Sequence, residues 1–244
     1  MNRVDNRQQG FTVIELTLAM TFVTVLMVTI ALTITQLANI YNKGTTLRAV
    51  DQAGRAISRD LQSTLAESQP LDVSSDVLGG ANFRQQAEVG GDASSPDGGR
   101  LCSGSFSYIW NTGKGLQNPV NSYEKSDEKI RLVKVRDTGA LYCGDTSLKI
   151  KKEDAIELLS SGDRELAIQS LQIRTAASDP VTQQALYRIT LEIGTNDKDS
   201  LNQSTSINSI DTTCKPPNDD ASVQDFCAVN QFEFTVRAGN RGNN

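Results

Sequence analysis

Residues 11–35 read "FTVIELTLAMTFVTVLMVTIALTIT", and the only ionisable side chain among them is Glu15. A helix that crosses a bilayer needs about 20 apolar residues. Residues 16–34 supply that length almost alone, without Gly or Pro. A secretory signal peptide has a shorter apolar core, about 7 to 15 residues, followed by a small-x-small cleavage site. This run is longer, and no clean Ala-x-Ala follows it. Arg3 and Arg7, opposed only by Asp5, orient the N-terminus to the cytoplasm. Neither reading accounts for Glu15, because an unpaired carboxylate in hydrocarbon costs several kcal/mol or gives up its charge. The neighbouring sequence offers Glu15 no obvious partner. The plain alternative is a carboxylate that snorkels to the interface near a helix end.

The stretch Gly10-Phe11-Thr12-Val13-Ile14-Glu15-Leu16 resembles the class III leader of the type IV pilins and pseudopilins. The resemblance implies that a prepilin peptidase cuts between Gly10 and Phe11 and methylates the new amine of Phe11. It also makes Glu15 the family's signature acid. A glycine suits an extended backbone in a narrow protease cleft, and a cut before the apolar run leaves the anchor in place. The new amine carries a positive charge that Glu15, of the same or a neighbouring subunit, is expected to neutralise. A buried pair of this kind specifies register more than it adds stability.

Beyond the apolar run the pattern changes. Leu47, Val50, Gly54, Ile57, Leu61 and Leu65 recur in steps of three and four, one face of a helix. Arg48, Asp51, Arg55, Arg59 and Asp60 occupy the other face. Gln69-Pro70 predicts a stop near Ser68. One helix over residues 11–67 is about 85 Å long, more than a small domain needs for itself. The segment "LRAVDQAGRAISRDLQ" is similar to the second helical half of larger minor pilins of the PilW/PulJ-like type. In that family the first half packs in a fibre core and the second lies on a sheet. Many members carry a Pro in the membrane segment, whereas this chain has none before Pro70.

Chemistry is narrowed by what the remaining residues lack. The chain has no His, which removes Ser-His-Asp triads, His-ligated metals and His acid–base catalysis. The close carboxylates, Asp219 with Asp220 and Asp197 with Asp199, stand in polar loops without a nucleophile or base, and read as solvated turns. Asp197-Lys198-Asp199-Ser200 lacks the Gly and terminal Glu of a calcium loop. We therefore expect no enzyme, cofactor or metal. Cys102, Cys143, Cys214 and Cys227 all follow the apolar run and form no CxxC, so they predict two disulfides in an oxidising compartment. Of the three possible pairings, the nearest-neighbour one, Cys102 with Cys143 and Cys214 with Cys227, is the expectation. Net charge is -5, which disfavours a general nucleic-acid binder. Lys125, Lys129, Arg131, Lys134 and Arg136 cluster near one hairpin but fall on both parities, so nucleic acid stays an unsupported partner.

Residues 68–128 are rich in turn formers, "GGDASSPDGGR" above all, with a short strand or a buried plug at "FSYIW" and Trp110 as a packing anchor. "KIRLVKVR" reads as a strand, Asp137-Thr138-Gly139 as a turn and "ALYCG" as the returning hairpin partner. Residues 151–160 read as a short helix or helical turn; residues 166–175, 186–193 and 231–238 read as strands, before a tail expected to be disordered. The expected fold class is α+β: a long N-terminal transmembrane, filament-core helix on an antiparallel sheet head, the pilin fold. The expected divisions are a leader (1–10), a membrane half-helix (11–35), an amphipathic half-helix (36–67) and an extracellular head (68–244). The resemblance implies a minor subunit of a type IV pilus, or alternatively a pseudopilin of type II secretion or DNA uptake. Implied partners are the prepilin peptidase, other pilin subunits, the inner-membrane assembly platform and, before assembly, lipid. The implied location is the cytoplasmic membrane and then the cell surface.

Overall fold

The computed structural model describes residues 12–73, 80–87, 96–159, 165–179, 181–197, 200–206, 209–216, 219 and 226–239. It has an α+β layout. Helix α1 spans Val13–Ala66. Leu, Ala, Met, Ile and Val fill it and no Pro interrupts it. Helical structure continues through Gly44, where nothing crowds the backbone. After Ala66 the chain turns at Ser68, whose N–H and hydroxyl both donate to the Leu65 carbonyl. Residues 1–42 and residues 43–244 form two compact units, and each is described by itself.

The second unit holds two antiparallel sheets and a hairpin. In the first sheet β1 (Phe83–Gln86), β2 (Gly98–Cys102), β3 (Phe106–Asn111), β4 (Leu132–Arg136) and β5 (Ala155–Glu157) lie in chain order. A four-residue helix, α2 (Leu141–Gly144), falls between β4 and β5. In the second sheet the order is β10 (Val229–Ala238), β7 (Gln184–Thr195), β6 (Leu166–Asp179). Strands β8 (Leu201–Ser206) and β9 (Ser209–Cys214) pair with each other. The two sheets meet where Thr112 bridges Ile168.

The helix face over residues 46–65 closes the core, burying Val50, Gly54, Ile57, Leu61 and Leu65 against Tyr108, Trp110, Tyr187, Ile189 and Leu191. Leu47, expected on that face, is 43% exposed, and Thr46 takes the buried place. A side chain on Gly54 would run into the Phe232 ring, so its missing Cβ is what lets helix and sheet approach. Asp60, half-buried, turns its carboxylate to the first sheet. Its carboxylate accepts from Tyr108 Oη at 2.6 Å and Lys134 Nζ at 3.0 Å. Burial, and then the Asp60 hydrogen bond, push the Tyr108 phenol well above its ordinary range. On the other side of the first sheet Ile109, Tyr123, Ile130, Val133, Val135 and Ile150 form a second cluster. Strand β4 is thus covered on both faces.

Two expectations need correcting and one is narrowed. "ALYCG" is a helical turn, not a returning strand. The Asp137 carboxylate accepts from the Leu141 and Tyr142 N–H groups and starts α2 there. Within residues 151–159 the helical turn is confined to three residues. A 3₁₀ turn (Lys152–Asp154) leads into β5, which pairs with β4. The "GGR" at the end of the turn-rich stretch is buried strand β2. Gly99 lies against the Trp110 indole, and any Cβ there would overlap it. Glycines that signal a turn by composition here serve close packing under an aromatic ring.

Candidate functional site

The first unit presents the clearest functional surface. Every described residue from Thr12 to Tyr41 is exposed, including Val13, Ile14, Leu18, Phe22, Val25 and Ile40. By length and composition α1 is able to cross a membrane, and it alone among the described helices. Its threonines do not spoil that surface. The hydroxyls of Thr17, Thr21, Thr24, Thr29, Thr33 and Thr35 each donate to a carbonyl three or four residues back, for example Thr21 to Leu18 at 2.9 Å and Thr33 to Thr29 at 2.7 Å. Each hydroxyl proton is therefore engaged inside the helix, and lipid or another helix meets mostly methyl groups.

Glu15 is the one carboxyl group among the described residues of this surface, and the structure gives it a local partner that the sequence reading missed. Its carboxylate accepts from the Thr12 N–H and hydroxyl, both at 2.9 Å, while the Glu15 N–H donates to Thr12 Oγ1 at 3.3 Å. Thr12 is the N-cap and Glu15 the third helical residue, a reciprocal capping box. The spacing Thr-x-x-Glu before an apolar run is its sequence signal. Gly10 and Phe11, the residues singled out for processing, lie outside the described residues.

The second unit is cross-linked twice: Cys102 to Cys143, joining β2 to α2, and Cys214 to Cys227, joining the end of β9 to the chain just before β10. No cysteine is free. Arg100, 1% exposed, reinforces the first link. Its Nε donates to Asn121 Oδ1 at 2.8 Å, Nη1 to the carbonyls of Tyr142 and Asp145 at 3.0 and 3.1 Å, and Nη2 to that of Leu148 at 2.9 Å. Burial pushes the guanidinium pKa down and the Asp145 carboxylate draws it back up; it stays charged. Nothing in the sequence marks Arg100 for this role. Trp110, 2% exposed, is stacked with Phe83 at 6.1 Å in the core.

The other singled-out residues do not converge. Asp197 accepts from Ser200 Oγ at 2.6 Å and Asp219 is exposed, while Lys198, Asp199 and Asp220 lie outside the described residues. Among the described residues no three His, Cys, Asp or Glu side chains gather as a metal site. The basic cluster is divided. Lys134 points at Asp60, Arg131 pairs with Glu165 at 3.6 Å, and Lys125, Lys129 and Arg136 are exposed.

No protein-family model matches this chain, and no curated protein or solved structure matches it either.

Proposed function

We propose that the chain is a minor structural subunit of a type IV pilus or a related filament, cut after Gly10 and assembled through its first helical unit. The observation that carries the reading is the exposed apolar surface from Val13 to Tyr41, whose threonine hydroxyls bond internally and whose one carboxylate stands at the helix start. Such a surface needs a non-aqueous neighbour. Lipid supplies it before assembly, and the same helices of other subunits supply it afterwards. Transfer between the two exchanges one apolar contact for another, so it does not demand that the helix first meet water. Packing and the rare polar contact then decide register.

In this reading Glu15 serves twice. It caps its own helix in the membrane, and in the assembly its charge meets the amine created on Phe11 by cleavage. The two roles are compatible, because a carboxylate has about four acceptor sites. The disulfide-linked second unit is the part that faces the outside. The same physics serves a pseudopilin.

Mass spectrometry of the mature protein from its native host tests the reading. A chain beginning at Phe11 with one added methyl is the expected result. An intact leader, or a cut after the apolar run, rejects it.

A further inference from the structure

Among the described residues the far half of β6 is an edge. β7 pairs with one side of β6, and no described strand lies along the other. Residues 174–179, Arg-Thr-Ala-Ala-Ser-Asp, are all exposed. An exposed edge offers unpaired N–H and C=O groups to another strand. Proteins commonly blunt such an edge with charges, prolines or a bulge; this one carries Arg174 and Asp179 at its two ends and a one-residue register shift between Thr175 and Ala177.

The order of these residues is self-complementary. Turned antiparallel about the Ala176–Ala177 peptide bond, the segment places Arg174 opposite Asp179 of the other copy, and Asp179 opposite its Arg174. Thr175 meets Ser178, and Ala176 meets Ala177. Opposite charges and hydroxyl side chains directly across from one another are favourable cross-strand pairs, and the alanine pair between them is neutral. A two-fold axis uses each pairing twice, as an interface of one surface with itself requires.

The backbone matches this register for a separate reason. In a regular strand the groups that point to one edge recur every second residue, so a two-fold self-pairing has to centre on a residue. Here the pairing with β7 shifts by one residue between Thr175 and Ala177. The shift changes which positions point outward on its two sides. Outward groups then meet outward groups only in a register centred on a peptide bond, the register that the charges also select.

We infer that the outer edge of β6 over residues 174–179 is a docking surface for a second copy of this chain, joined antiparallel in that register. Six residues on each side form a small contact, below the roughly 1,000 Å² of a durable interface. The pair is therefore weak in dilute solution and favoured where copies are concentrated in a membrane. A two-fold contact closes on itself, so it stands independently of filament assembly.

Chemical cross-linking of the full chain in detergent micelles tests it. The native cysteines are all bonded to one another, so an added thiol reports alone. Equimolar Thr175→Cys and Ser178→Cys chains, mixed and oxidised, are expected to form the mixed 175–178 dimer at least fivefold more than either like pair. Like pairs lie three residues out of register, about 10 Å along the strand, too far to bridge. In the same cross-linking background, Arg174→Asp or Asp179→Arg alone is expected to cut the yield at least fivefold, and the two together to restore it within twofold. Asp179 also accepts from the Val181 N–H and Thr182 hydroxyl of the β6–β7 turn. A merely structural defect from its loss would not be rescued by the second change. Equal yields for like and mixed pairs, indifference to Arg174→Asp, or failure of the double variant to recover would each overturn the inference.

Discussion

Replacing Arg100 measures how much of the second unit's stability hangs on one buried cation. Its four hydrogen bonds tie β2 to Asn121 and to the carbonyls of Tyr142, Asp145 and Leu148. Arg100→Met fits the aliphatic part of the site but takes the guanidinium away from four acceptors, of which the Asp145 carbonyl still accepts from the Leu148 N–H at 3.4 Å. A hydrogen bond to a charged group contributes about 1.5–3 kcal/mol, and an orphaned buried acceptor costs about 1–3 kcal/mol. The three carbonyls sit on a segment with many exposed residues and recover water in part, so the individual losses do not add. The net loss is expected at about 3–5 kcal/mol, against a total of about 5–15 kcal/mol for a domain. With an m-value of about 2 kcal/mol per molar urea, the midpoint falls by about 2 M. Arg100→Lys keeps the charge but not the fork, and a single ammonium cannot serve Asn121 and Leu148 together; a loss of at least about 2 kcal/mol is expected. The chain's one tryptophan makes the assay specific. Trp110 is buried against Gly99, beside Arg100 in the same sheet, so its emission in a urea titration follows this region alone. If either variant unfolds within about 1 kcal/mol of the parent, the guanidinium is not the anchor described.

Two substitutions separate the roles of Glu15. Glu15→Gln keeps an acceptor for the capping box but loses the charge, whereas Thr12→Val keeps the charge and loses the capping hydroxyl. Pairing with the terminal amine predicts at least a tenfold drop of Glu15→Gln subunits in the sheared filament fraction, relative to the membrane pool, with Thr12→Val near the parent. The reverse ranking reduces Glu15 to a helix cap. The disulfides should rank by the chain they enclose. Loss of Cys102–Cys143, 41 residues apart, is expected to cost about 4 kcal/mol, and loss of Cys214–Cys227, 13 apart, about 3 kcal/mol. Urea midpoints of the paired Cys→Ala variants check the order, and a larger effect at the shorter loop contradicts it.

The sequence by itself determined what depends on neighbours along the chain. The helix follows from 3.6-residue periodicity and from the lack of Pro before residue 70. Strands β7 and β10 follow from alternation, because each has apolar side chains recurring on one face. The length and apolar character that make residues 13–35 able to cross a membrane follow from composition alone. Tertiary structure decided whatever depends on a distant partner. Asp60 belongs to the polar face by its spacing, yet it is held by Lys134 and Tyr108 from strands more than forty residues away. "ALYCG" has the β-prone residues of a strand, yet the Asp137 carboxylate captures its N–H groups first. Gly98-Gly99-Arg100 reads as a turn until Trp110 lies on it and four acceptors surround the guanidinium. Local pattern sets which conformations are cheap. A few buried polar contacts, each leaving a group unsatisfied if it is not made, select among them.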